Sequence, residues 1–200
     1  MKKRSLTPKG YLILAAILLI FIAVLVLEFL GPRSTILNFL VRLFALWGFT
    51  SLAIAIILTP FLKEVLLTFG KPFIKVHHYF AFAGLTLISL HPIFSAIESM
   101  TLTVFLPVFD SWRGFWVYAG RLAFYIIYLA LVAVLFRRKI KPWRAIHALM
   151  YLVLLMGFIH GILIGTDFAN IGILVIFSIL FAFSVATLVL KRYKQYSSKK

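Results

Sequence analysis

Apolar residues fill the chain in six blocks, each long enough to cross a hydrocarbon core of about 30 Å, with polar and basic residues gathered between them. The blocks run from about Tyr11 to Leu30, Leu37 to Thr59, Ile74 to Ile97, Trp116 to Phe136, Ala145 to Gly165 and Ile171 to Leu190. Gly31-Pro32 ends the first and Pro60 the second, because neither residue type extends a helix well. The third is the weakest, since His77, His91 and Pro92 interrupt it. The pattern predicts an all-α, six-helix transmembrane bundle, residues 1–200 forming one domain with short loops. The segment MKKRSLTPKG and the apolar run after it resemble a signal peptide. The run is too long for one and no small-residue cleavage site follows, so it is read as a retained first helix.

Composition agrees. The chain is 64% hydrophobic and 13% charged, against about 25% charged in a typical soluble domain. The formal charge of +16 would suggest nucleic acid, but its placement points to lipid as the partner and not nucleic acid. Lys2, Lys3, Arg4 and Lys9 precede the first block, and Lys63, Lys71 and Lys75 separate the second from the third. Arg137, Arg138, Lys139, Lys141 and Arg144 separate the fourth from the fifth, and Lys191, Arg192, Lys194, Lys199 and Lys200 follow the sixth. Arg33, Arg42, Arg113 and Arg121 fall on the opposite side, with Glu98, Asp110 and Asp167. By the positive-inside bias both termini are expected inside, in the inner (cytoplasmic) membrane. With no cysteine in the chain, disulfides, iron–sulfur ligation and thiolate heme ligation are excluded.

The histidines carry the chemistry. His77 and His91 lie 14 residues apart on the third block, and His147 and His160 lie 13 apart on the fifth. An ionisable group inside a membrane marks a functional site by default, and imidazole is the ordinary axial ligand of heme iron. At about 1.5 Å per residue, each pair spans roughly 20 Å of depth. Because both blocks run outward, His77 matches His147 at an inner level and His91 matches His160 at an outer one. Two levels of facing imidazoles can hold two hemes. Helical phase is less accommodating. Fourteen residues return to within about 40° of the start, whereas thirteen end about 220° round, so the fifth block needs a kink or bulge, for which Gly157 is a candidate. His78 competes with His77 for the inner position. Lys75, Lys141 and Arg144 are placed to meet carboxylates at the inner boundary, and Arg121 and Arg113 at the outer one. Gly84 and Gly157 sit between the levels and would admit a macrocycle or a neighbouring helix.

Other features read more plainly. Phe80, Phe82 and Trp47 are either packing residues or the lining between two hemes. A Glu28–Arg42 contact is possible across the first two blocks. The stretch from Glu98 to Trp116, with Pro107, Asp110 and Trp112, forms a lid or an interfacial loop.

The stretches VHHYFAFAGLTLISLHP at 76–92 and WRAIHALMYLVLLMGFIHG at 143–161, with LTPFLKEVL at 58–66, resemble the ferric reductase-like transmembrane domain family. That family includes the membrane cores of ferric reductases and NADPH oxidases and the heme subunit of the periplasmic methionine sulfoxide reductase system. The resemblance spans the second to sixth blocks. It implies an oxidoreductase or electron-transfer subunit, a cytochrome b with heme b held by His77 and His147 inside and by His91 and His160 outside. Electrons would pass outward to ferric iron, dioxygen or a partner reductase. No nucleotide-binding fingerprint is present, so the donor is expected to be a separate cytoplasmic flavoprotein or a quinol. Members resembling the methionine sulfoxide reductase subunit generally lack the first histidine of the third block, which leaves a one-heme, quinol-linked subunit as an alternative. A small non-heme transporter or scaffold is a further alternative of a different class.

Overall fold

A computed structural model describes residues 5–32 and 34–197, and it is all helical, with no strand among the described residues. Lys2, Lys3, Arg4, Arg33, Lys199 and Lys200, which entered the charge argument, lie outside the described residues. Helix α1 (Pro8–Leu30) starts with Thr7 capping Gly10 N and proline at its first position, where the missing N–H costs nothing. Helix α2 (Ile36–Ile57) starts with Thr35 capping Asn38 N. A short α3 (Leu62–Phe69) follows Pro60 and stops at Gly70, whose φ of 64° suits a residue without Cβ. This helix lies beyond the second block, which was expected to end at Pro60, and was not among the six expected. Helix α4 (Phe73–Ser99) passes through Pro92 without ending.

The fourth and fifth blocks are each split. Residues 112–136 form α5 (Trp112–Val117) and α6 (Ala119–Leu135), joined at Tyr118. Residues 143–164 form α7 (Trp143–His147) and α8 (Met150–Ile164), joined at Ala148 and Leu149. Helix α9 (Ile171–Ser197) runs well past the expected Leu190. Five spans have the length and apolarity to cross a membrane: α1, α2, α4, α7 with α8, and α9. Helix α6 is apolar but has only 17 residues, about 25 Å at 1.5 Å per residue.

Two antiparallel pairs organise the molecule, α2 with α4 and α6 with α8. The first is tight because glycine allows it. A Cβ on Gly48 would stand 2.7 Å from Ile88, and one on Gly84 would stand 2.7 Å from Leu52. Gly84 is thus a helix-packing glycine toward α2. Helix α2 is the central element, running against α1, α4, α8 and α9. Its core residues Leu46, Phe49, Leu52 and Ala53 meet Leu154, Met156 and Phe177. Helix α4 packs on α2 and makes hardly any contact with α8.

Both described ends lie beside the segment between α2 and α4. Thr7 donates through its hydroxyl and its N–H to the Thr68 carbonyl, and Lys194 Nζ donates to the Pro60 carbonyl. At the other end Arg42 ties three elements together. It meets Glu28 Oε1 of α1 at 3.1 Å, pairs with Asp167 in the 3₁₀ turn Thr166–Ala169, and donates to the Pro32 carbonyl. The Glu28–Arg42 contact is therefore real, and Asp167 completes it.

Candidate functional site

The four histidines that match in depth share one arrangement of their Nδ1 edges. His77 Nδ1 is 3.0 Å from the Ala55 carbonyl, His91 Nδ1 is 2.9 Å from that of Val41, and His160 Nδ1 is 2.6 Å from that of Val117. His147 Nδ1 is buried and approaches the Ala130 carbonyl without a well-formed hydrogen bond. The acceptors repeat the spacing of the donors. Val41 and Ala55 are 14 residues apart like His77 and His91, and Val117 and Ala130 are 13 apart like His147 and His160. Antiparallel packing at constant register produces this match.

These carbonyls are available for identifiable reasons. Ala55 belongs to the last turn of α2, where carbonyls lose their helical donors, and Thr59 N turns to Ile56 O instead. Val117 ends α5, and the Arg121 N–H that a continuous helix would send to it goes to Tyr118 O. Val41 and Ala130 lie inside helices and offer the carbonyl's second lone pair. An imidazole that donates Nδ1–H to a carbonyl has its Nε2 lone pair free. That is the usual support of a metal-bound histidine.

The histidines of each level lie near one another. The rings of His77 and His147 have centroids 6.4 Å apart at 78°. Two rings on opposite sides of one metal, with bonds of about 2 Å, have centroids roughly 6 Å apart. His91 and His160 both line a cavity of about 480 Å³, within the usual cofactor-pocket range of about 300–1,000 Å³. The cavity occupies the gap that α4 and α8 leave between them, with Leu46, Phe49, Ala123 and Ile127 giving it apolar walls.

The phase problem in the fifth block resolves away from Gly157, which sits inside the unbroken α8. The break is at Ala148–Leu149, where Leu149 N bonds Ile146 O and Tyr151 N bonds Ala148 O. Such i→i+3 turns advance about 120° per residue against about 100° in an α-helix, so they close part of the gap between His147 and His160.

Other candidates separate clearly. His78 is exposed, its ring 6.0 Å from that of His77 and at 52° to it. Lys75 and Arg144 are exposed at the end of the bundle that carries His77 and His147, with Arg144 over the Trp143 ring. Arg121 is spent on main chain: its Nη1 donates to the Thr103 and Leu106 carbonyls at 2.9 and 3.0 Å, and its guanidinium lies 4.4 Å over the Tyr118 ring. With Tyr125 donating to the Phe105 carbonyl, it fastens the 3₁₀ turn Thr103–Phe105 across the outer cavity, to whose lining Val104 and Phe105 belong. Part of the expected loop is thus a cover. Of the two aromatic readings, packing holds for Phe80 and Trp47. Phe82 is 72% exposed, Phe80 packs against the Val65–Phe69–Val76 cluster, and Trp47 donates its indole N–H to Phe21 O on α1. None of the three lines the cavity at His91 and His160.

Two groups escaped the sequence reading. Lys191 lies within electrostatic reach of both His77 and His147, from a helix whose basic tail looked like a topology signal alone. Asp167 was read only as an outside charge, although it lines the cavity beside Arg42 and lies within electrostatic reach of His91.

No family model, curated protein or solved structure matches the chain.

Proposed function

We propose that this chain is a six-span membrane cytochrome b, with both termini on the cytoplasmic side, that carries electrons across the membrane through two bis-histidine b hemes. One observation carries the reading. Two hairpins bring imidazoles together at two matched levels, three of them with Nδ1 on main-chain carbonyls and Nε2 left for a ligand, and a cavity lies at the His91–His160 level. His77 and His147 would hold the inner heme, and His91 and His160 the outer one.

The heme supplies the one-electron chemistry; the protein sets its position and potential. The carbonyl partners fix the tautomer and the ring plane. Held by one histidine from each hairpin, such a group would have no position left for a substrate and would pass its electrons on without binding one. Arg121 and Tyr125 hold the 3₁₀ turn Thr103–Phe105 at the wall of the outer pocket. At the inner end Lys191, Lys75, Arg144 and Lys141 supply positive charge where the carboxylates of an inner heme need it. The concentration of basic residues at that end supports the orientation. It also favours a separate cytoplasmic flavoprotein over a quinol as donor, with ferric iron, dioxygen or a partner reductase as acceptor outside.

A one-heme form has a specific observation in its favour, because the 480 Å³ cavity lies at the outer pair. It would retain His91 and His160 as ligands. Pyridine hemochrome analysis and redox spectra of the purified protein decide. The two-heme form gives a b-type spectrum with two hemes per chain. His91→Ala and His160→Ala should each remove one, and unchanged heme content in both variants would refute the outer site.

A further inference from the structure

We infer that Gly120 is a positioning residue that holds the His160 imidazole in its coordinating orientation. The inference rests on the heme reading above and extends it to a residue that is not a ligand.

The junction of α5 and α6 grips His160 from two sides. On one edge the Val117 carbonyl takes Nδ1 at 2.6 Å. Against one face of the ring lies Gly120, in the first turn of α6. A Cβ built there would stand 2.9 Å from His160 Cδ2 and 3.0 Å from Nε2. Real Cβ contacts are not that short, so any side chain at 120 must displace the ring. The ring cannot turn aside freely, because it would give up its bond to Val117. Gly120 also lines the cavity with His91 and His160, so a ring pushed by an added methyl would be displaced within the wall of that pocket.

The backbone at Gly120 does not itself need glycine. Its φ is not positive, since Gly70 is the glycine with that conformation among the described residues. It lies within a helix, where alanine is favoured over glycine. Glycine here disfavours α6, and what it provides is space against the imidazole. By contrast, the Cβ of an alanine at Gly31 would be 3.4 Å from its nearest neighbour, the Glu28 carbonyl oxygen.

The test compares Gly120→Ala with Gly31→Ala in the full-length, heme-loaded protein. Gly120→Ala should lose the outer heme, or convert it from low spin to a high-spin, five-coordinate form, while the inner heme keeps its spectrum and midpoint potential. Gly31→Ala should keep both hemes. Two unperturbed low-spin hemes in Gly120→Ala would overturn the inference. If Gly120→Ala alone fails to accumulate, the same change is made in a His160→Ala background. Pressure on the imidazole then has no target, so the double variant should match His160→Ala in yield and melting temperature. A double variant that still fails to fold would make Gly120 a general packing residue and refute the positioning role. A wild-type chain that binds no heme would instead defeat the underlying reading, so the two failures are distinguishable.

Discussion

The outer and inner histidine levels use the same residues in the same register, yet they differ in completeness. At the outer level both imidazoles have short Nδ1 bonds, a cavity lies beside them, and the Arg42–Glu28–Asp167 cluster closes the end of the bundle. At the inner level His77 is bonded to Ala55, but His147 Nδ1 is buried without a bond. Thr59 Oγ1 and Tyr151 OH are likewise buried without partners. A protein-only outer site is nearly finished, whereas the inner one has polar atoms still to be satisfied. Main-chain acceptors at a helix end or break make the better half of each pair, and those inside a helix make do with a second lone pair.

The largest test of this contrast is the outer ion cluster. Arg42→Leu strands buried Glu28 and Asp167, and removing one partner of a buried ion pair costs about 3–5 kcal/mol. Denaturant unfolding in detergent should show that loss, and a loss under 1 kcal/mol would mean the outer level owes nothing to the cluster. Next comes the support common to both levels. Gly84→Ala forces a methyl against Leu52 in the α2–α4 contact and should cost about 1–3 kcal/mol by overpacking. Because α2 supplies the carbonyls for both His77 and His91, heme retention should fall at both levels together, whereas Gly120→Ala affects the outer one alone.

Smaller effects probe the inner level. Thr59→Val and Tyr151→Phe remove atoms without partners, so each should be neutral or stabilising by about 1 kcal/mol or less in the heme-free protein. The same changes in the loaded protein should cost stability if the bound group satisfies those atoms. Equal effects in the two states would erase the distinction between the levels. Smallest is Ser89→Ala, which breaks the 2.7 Å hydrogen bond to Tyr128 linking α4 with α6. Interhelical bonds of this kind average about 0.6 kcal/mol in membrane proteins, and a double-mutant cycle with Tyr128→Phe should return that coupling.

Much of this was legible beforehand because apolar run length and residue rise translate directly into depth. Matching His77 with His147 needed only those two quantities. The break after His147 was not legible, since Ala148 and Leu149 are good helix formers and carry no local signal. The only proline nearby, Pro142, precedes α7. Gly157 looked like the obvious place to bend, and a glycine inside a helix need not bend it. Asp167 could not be matched to Arg42 from sequence, because 125 residues separate them. The histidine partners were invisible for a simpler reason: they are main-chain oxygens, which every residue carries. Arg121 was expected to meet a carboxylate and meets two carbonyls, because the chain after α4 folds back over it.

The constant register between α2 and α4 has a consequence for how this chain can change length. Ala55 serves His77 and Val41 serves His91, each across the same antiparallel alignment. One residue inserted between 41 and 55 would slide one carbonyl past its imidazole while the other stayed in place. An equal insertion between 77 and 91 would do the same from the opposite helix of the hairpin, and the two together would restore the depth without restoring the facing, because each also turns its helix by about 100°. Loops outside these intervals carry no such bookkeeping. The hairpin therefore behaves as a ruler with two fixed marks, tolerant of growth beyond either mark and intolerant of it between them.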